Sequence, residues 1–177
     1  LQMRDIVESG VNFGPYAEDN LFYIEKSDLY KSLGAGIKTT EFVLRANELE
    51  PAILFVEAKT NAPNPENRDD SAEKRKKFEE FYTEVPQKFV DSFEIYTAAL
   101  LKRYSECSEI GLNLQVPDLA NKKITFLLVI TNPAAQIEWL ASIKAILEYR
   151  LRRWMKIWSI DVCVFNQELA RQYKLIS

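Results

Sequence analysis

Histidine is absent from all 177 residues of this chain. That excludes Ser-His-Asp and Cys-His catalysis, histidine-ligated metals and the commonest general base, and leaves carboxylates and lysine for any hydrolytic chemistry. Cysteine is nearly as scarce, with Cys107 and Cys163 far apart and lacking C-x-x-C spacing. No zinc site is indicated, and two reduced thiols in a cytoplasmic protein are the expectation. No apolar run approaches the roughly 18 residues of a membrane helix and no signal peptide is visible, so no membrane partner is expected. Positive charge is not in excess either: the net charge is −3, so any nucleic-acid contact has to be made by a local basic patch. What remains is an ordinary balance, 47% apolar and 28% charged, over a length that suits a single α/β domain spanning 1–177. Neither repeats nor low-complexity tracts interrupt it.

The most informative stretch is Ala52–Lys59, A-I-L-F-V-E-A-K. Its apolar run reads as a strand buried on both faces, yet it ends in charge. Alternation places Ile53, Phe55, Glu57 and Lys59 on one face and Leu54, Val56 and Ala58 on the other. The preceding segment, residues 39–45 (T-T-E-F-V-L-R), is a second strand, and the linker at 46–51 is short enough for an antiparallel hairpin. That pairing brings Glu41 to the end of the second strand, beside Glu57 and Lys59. Taken alone, Glu57 and Lys59 read first as an ion pair where a strand meets water, with Glu41 a solvated strand-start residue; the apolar run and the upstream acid raise a functional cluster to equal standing. If the two acids instead face each other, neutralising either one should relieve repulsion and leave the protein at least as stable.

Along the rest of the chain, residues 1–20 are poorly patterned and read as a short turn of helix followed by loop. Residues 21–26 suggest a first strand, and Ser27 suits the cap of a short helix through Leu33, stopped at Gly34-Ala35-Gly36. The loop after Lys59 carries Pro63 and Pro65, and its position at a strand end suits one wall of a cleft. Asp70 with Glu73 resembles a capping box that opens a helical stretch to about Tyr104. This stretch has an aromatic stripe from Phe78 to Tyr104 and is kinked or split at Pro86. A connection containing Pro117 leads to a buried strand at 124–130. Then come a turn at Thr131-Asn132-Pro133, a helix over 135–154 with an inner stripe starting at Ile137, a strand at 160–165 and a terminal helix capped by Asn166. The order predicts an α/β sandwich: a mixed β-sheet with a β-hairpin, flanked by helices.

An acid, a hairpin and E-x-K at the end of an apolar strand resemble the PD-(D/E)XK (restriction-endonuclease-like) nuclease family. The resemblance implies a restriction-endonuclease-like core and a Mg²⁺- or Mn²⁺-dependent phosphodiesterase acting on DNA or RNA. It puts Glu41 and Glu57 in the places of the two metal-holding acids, with the backbone carbonyl of Ala58 as a further ligand. Lys59 takes the place of the lysine that positions the attacking water. The further acid that the family often carries upstream is matched by Glu25 or Asp28, and the supporting position on the following helix by Gln87 or Lys88. Phosphate contacts fall to Arg68 and to Lys74, Arg75, Lys76 and Lys77, whose charges at a helix N-terminus oppose the macrodipole. The basic, aromatic stretch Arg150, Arg152, Arg153, Trp154, Lys156 and Trp158 lies near a helix C-terminus, where the dipole favours cations without any ligand. A binding or assembly module on a nuclease-like scaffold, self-associating or taking a protein partner, is the competing expectation.

Overall fold

A computed structural model describes residues 2–46, 52–105, 107–115, 118–132, 134 and 137–177. The linker of the expected hairpin (47–51), Pro117, Pro133 and the expected start of the helix at 135 lie outside the described residues. Seven strands and five α-helices are described: β1 (Met3–Glu8), β2 (Val11–Ala17), β3 (Leu21–Phe22), α1 (Asp28–Ser32), β4 (Phe42–Ala46), β5 (Ala52–Lys59), α2 (Ala72–Leu100), α3 (Leu112–Gln115), β6 (Lys123–Ile130), α4 (Ile137–Trp158), β7 (Ile160–Asn166) and α5 (Gln167–Gln172).

The fold is mixed α/β. A five-stranded sheet runs β3-β4-β5-β6-β7, antiparallel from β3 to β5 and parallel from β5 to β7, and β1 and β2 form a separate antiparallel pair. Two apolar clusters cover the two faces of the larger sheet. On one face Ile53, Phe55, Phe126 and Leu128 meet Phe89, Phe93 and Tyr96 of α2 and Leu147 and Leu151 of α4. Phe126 stacks on Phe89 at 5.0 Å between ring centroids and meets Phe55 edge-on at 5.6 Å. On the other face Leu44, Val56, Leu127 and Val129 meet Ile6, Phe13 and Tyr16 of the β1–β2 hairpin and Ala170 of α5. Strands β5 and β6 are covered on both sides, which is why they read as continuous apolar runs rather than alternating ones.

Several local expectations change. The first 20 residues form a β-hairpin, not a helical turn: Glu8 pairs with Val11, and Ser9 and Gly10 between them both take positive φ, 48° and 79°. A two-residue hairpin turn of the I′ kind requires that conformation, and glycine adopts it without strain. The strand expected at 21–26 is only Leu21–Phe22, followed by a 3-10 turn at Ile24–Lys26. Helix α2 runs unbroken through Pro86, is capped by Ser71 rather than Asp70, and ends at Leu100. Ile137 of the expected inner stripe of α4 is 55% exposed, whereas Leu140, Ile143, Leu147 and Leu151 are buried. Ser27 and Asn166 cap α1 and α5 as expected. Among the described residues no helix is long and apolar enough to cross a membrane.

Gly111 allows α3 to approach the turn at Glu18–Asn20. A Cβ there would sit 2.5 Å from the carbonyl oxygens of both Glu18 and Asp19. Gly111→Ala is therefore expected to cost about 2 kcal/mol or more, readable as a lower urea midpoint with an unchanged m-value.

Candidate functional site

The sheet brings Glu41 and Glu57 together through register. Phe42 is opposite Val56, and the Glu41 N–H donates to the Val56 carbonyl at 2.9 Å, so Glu41 and Glu57 are cross-strand neighbours on the face that α2 covers. The start of β4 is pinned to α2 by Thr40, whose N–H and hydroxyl both reach the buried Ser92 hydroxyl, at 2.8 and 3.1 Å. Glu57 is wholly buried and Glu41 is 5% exposed.

Two lysines meet Glu57. Lys59 Nζ lies 3.1 Å and Lys88 Nζ 2.8 Å from the same oxygen, Glu57 Oε1. Lys59 also pairs with Glu84 at 3.4 Å, and Lys38 holds the other Glu84 oxygen at 3.3 Å. Of the two supporting candidates on α2, Lys88 therefore reaches the cluster, while Gln87 donates to Asp91 along its own helix. Glu25 also joins, its N–H donating to the Glu41 carbonyl at 3.3 Å, whereas Asp28 is exposed and pairs with Lys31.

One residue of the cluster is absent from the sequence-based expectations. Glu8, at the end of β1, accepts a hydrogen bond from the Tyr23 hydroxyl, and one oxygen from each of Glu8, Glu25 and Glu41 falls within 4.8 Å of the others. The signal that locates it is the Ser9-Gly10 hairpin turn.

The electrostatics follow from burial and crowding. Burial, then the charges of Glu57, Glu25 and Glu8, push the Glu41 carboxyl up to about 8 against the pull of Lys88. Burial also raises Glu57, opposed by the charge and hydrogen bond of Lys88 and then by those of Lys59. For Glu25 burial acts upward, but hydrogen bonds with Lys26 and the Glu41 carboxyl outweigh it and the net shift is downward. Burial acts to lower Lys88, yet Glu57 beside it leaves its pKa raised. Glu41 Oε2 and Glu57 Oε2 are both buried without a hydrogen-bond partner.

No protein-family model, curated protein or solved structure matches this chain. Its chemistry is therefore read from the residues themselves. The donors are carboxylates and a carbonyl, with no imidazole or thiol among them, which suits a hard divalent cation. The Ala58 carbonyl accepts the Ser9 hydroxyl at 3.1 Å and keeps its second lone pair. The two orphaned carboxylate oxygens are the kind of group that a cation satisfies.

The basic residues are distributed differently from the acids. Arg68, Lys74 and Lys77 line a concavity of about 350 Å³ beside the loop that leaves β5, and Arg75 and Lys76 do not. All five are ion-paired: Arg68 and Arg75 with Asp69, Lys74 with Asp70, Lys76 with Glu80 and Lys77 with Glu73. The second basic stretch lies along α4, whose last residue, Trp158, meets Phe93 of α2 at 4.9 Å between ring centroids. Further back on α4, Arg150 pairs at 2.9 Å with Glu79 of α2, five residues before the Glu84 that Lys59 holds, and Arg152 stacks over Tyr149 at 4.5 Å.

Proposed function

We propose that the protein is a Mg²⁺- or Mn²⁺-dependent phosphodiesterase of the PD-(D/E)XK (restriction-endonuclease-like) type, acting on DNA or RNA. The observation that carries this reading is the meeting of Glu41 and Glu57 at the ends of paired strands. Each has a buried oxygen without a partner, and Lys59 and Lys88 stand on Glu57. An antiparallel β4–β5 pair followed by parallel β6 and β7 across helical connections supports a restriction-endonuclease-like core.

Glu41, Glu57 and the Ala58 carbonyl would hold the cation. When bound, it would supply positive charge that polarises the phosphate and acidifies water. Lys88 holds Glu57 Oε1 at 2.8 Å and favours its ionised form against the pull of burial. Lys59 is the more exposed of the two lysines, at 28% against 13%, and spans Glu57 and Glu84. Its ammonium orients the attacking water and offsets charge that develops on the phosphate oxygens. Substrate approaching past the 61–68 loop would exchange the exposed carboxylate partners of Arg68, Lys74 and Lys77 for phosphate. Such exposed pairs are worth about 0 to 1 kcal/mol and are readily exchanged.

A binding or assembly module is the second reading. It is favoured by the pairing of every lysine around Glu57 and of the whole Arg68–Lys77 basic set, which leaves the charges internally matched. Hydrolysis of single- and double-stranded DNA and RNA in Mn²⁺ separates the two. Activity is expected on at least one of the four and should fall by about a hundredfold or more in Lys59→Ala, the size of effect typical of removing one electrostatic contact to the transition state. No hydrolysis of any of them would leave the module.

A further inference from the structure

The acids extend beyond the pair that the proposed activity uses. Glu8 comes from the end of β1, Glu25 from the turn Ile24–Lys26 and Glu41 from the start of β4, three separate segments whose carboxylate oxygens fall within 4.8 Å of one another. Oxygens around a six-coordinate cation at about 2.1 Å lie about 3 to 4.2 Å apart, so small side-chain rotations close this set onto one ion. Charge balance alone does not account for the grouping. Lys26 pairs with Glu25 at 2.9 Å, and Tyr23 gives Glu8 a neutral hydrogen bond. A further buried carboxylate stands across the strand pair: Glu57, wholly buried and lying opposite Glu41, has its Oε2 without a partner, as does Glu41 itself. Unpaired buried carboxylate oxygens of this kind are costly unless something positive meets them.

The hairpin tip that carries Glu8 is held against the sheet independently. The Ser9 hydroxyl donates to the Ala58 carbonyl at 3.1 Å, and the Thr131 hydroxyl donates to the Ser9 carbonyl at 2.6 Å. The β1–β2 hairpin therefore forms a wall of the cluster and delivers one of its charges. We infer that Glu8, Glu25 and Glu41 together bind a divalent cation, and that this cation fastens the N-terminal hairpin to the ends of β4 and β5. The inference rests on the cation requirement of the proposed activity but not on catalysis.

Calorimetric titration of the full chain with Mn²⁺, beside thermal unfolding with and without Mn²⁺, tests it. Wild-type protein is expected to bind Mn²⁺ and to melt at a higher temperature with it. Glu8→Gln should weaken binding by at least about tenfold and lose most of the thermal shift, because ligand charge sets affinity at such sites. Tyr23→Phe removes the hydrogen bond to Glu8 while keeping its carboxylate, and should bind as wild type does. Equal weakening by Tyr23→Phe would show that hairpin packing alone matters and would overturn the inference. Unchanged affinity in Glu8→Gln would also overturn it, leaving the Glu41 and Glu57 reading intact. No binding to wild type up to about 10 mM, beyond even the weakest oxygen-ligand sites, would overturn both. Binding that depends on Glu8 in a protein without hydrolytic activity would uphold the inference and remove the proposed catalysis.

Discussion

Glu57→Gln is expected to destabilise the protein by about 3 to 5 kcal/mol in urea unfolding, the usual result of removing one partner from a buried ion pair. Glu57 is wholly buried, and its Oε1 accepts both Lys59 and Lys88. Glutamine keeps the shape but removes the charge, which leaves Lys88 desolvated at 13% exposure beside a neutral amide. Glu41→Gln should behave in the opposite way. No lysine lies within ion-pair distance of Glu41 among the described residues, and the charges of Glu57, Glu25 and Glu8 all disfavour its ionised form. Neutralising it should leave stability unchanged or raise it at neutral pH and above. The expectation that either acid relieves the same repulsion thus splits in two, because the lysines favour one side of the pair. In the double variant Glu57→Gln with Lys88→Met, most of the loss should return, since the stranded charge is gone. Glu57→Gln as stable as wild type would show that the lysine contacts contribute nothing to the fold.

Stability should also fall as pH rises from 4.5 to about 8, the ordinary and folded-state pKa values of Glu41. Across that window the folded chain keeps a proton on Glu41 that the unfolded chain releases. The folded state binds more protons, so each rise in pH favours unfolding. The cost is nil below the unfolded value, grows through the window and is complete above about 8. Its size is on the order of 2 to 4 kcal/mol, since each unit of pKa difference corresponds to about 1.4 kcal/mol and the repulsion is shared with neighbouring acids. Glu25 works in the other direction: its lowered pKa gives stability that is present above the ordinary carboxylate value and is lost on acidification. Urea midpoints at several pH values for wild type and Glu41→Gln test this directly. The variant should show a flatter profile and exceed wild type at pH 8 and above. Parallel profiles for the two proteins would mean that Glu41 ionises normally.

Sequence alone determined what depends on local periodicity. Unbroken apolar runs mark β5 and β6 because both of their faces are covered, and an apolar stripe at helical spacing marks α2 and α4 because each packs along one side. The side-chain period of two puts Glu57 and Lys59 on one face, and a short hairpin linker brings Glu41 to the same strand end, while the register that sets Glu41 opposite Glu57 came from the fold. Tertiary structure decided the rest. Gln87 and Lys88 are adjacent but about 100° apart around α2, so only the rotation of that helix against the sheet selects Lys88 for Glu57. The N-terminal hairpin hides in a polar segment in which Ile6, Phe13 and Tyr16 are the buried apolar side chains. Its contribution of Glu8 depends on packing against the sheet face opposite α2. Apolar burial is non-directional: a chain's pattern states which faces must be covered, and only the assembled fold states which element covers each and which charges it brings along.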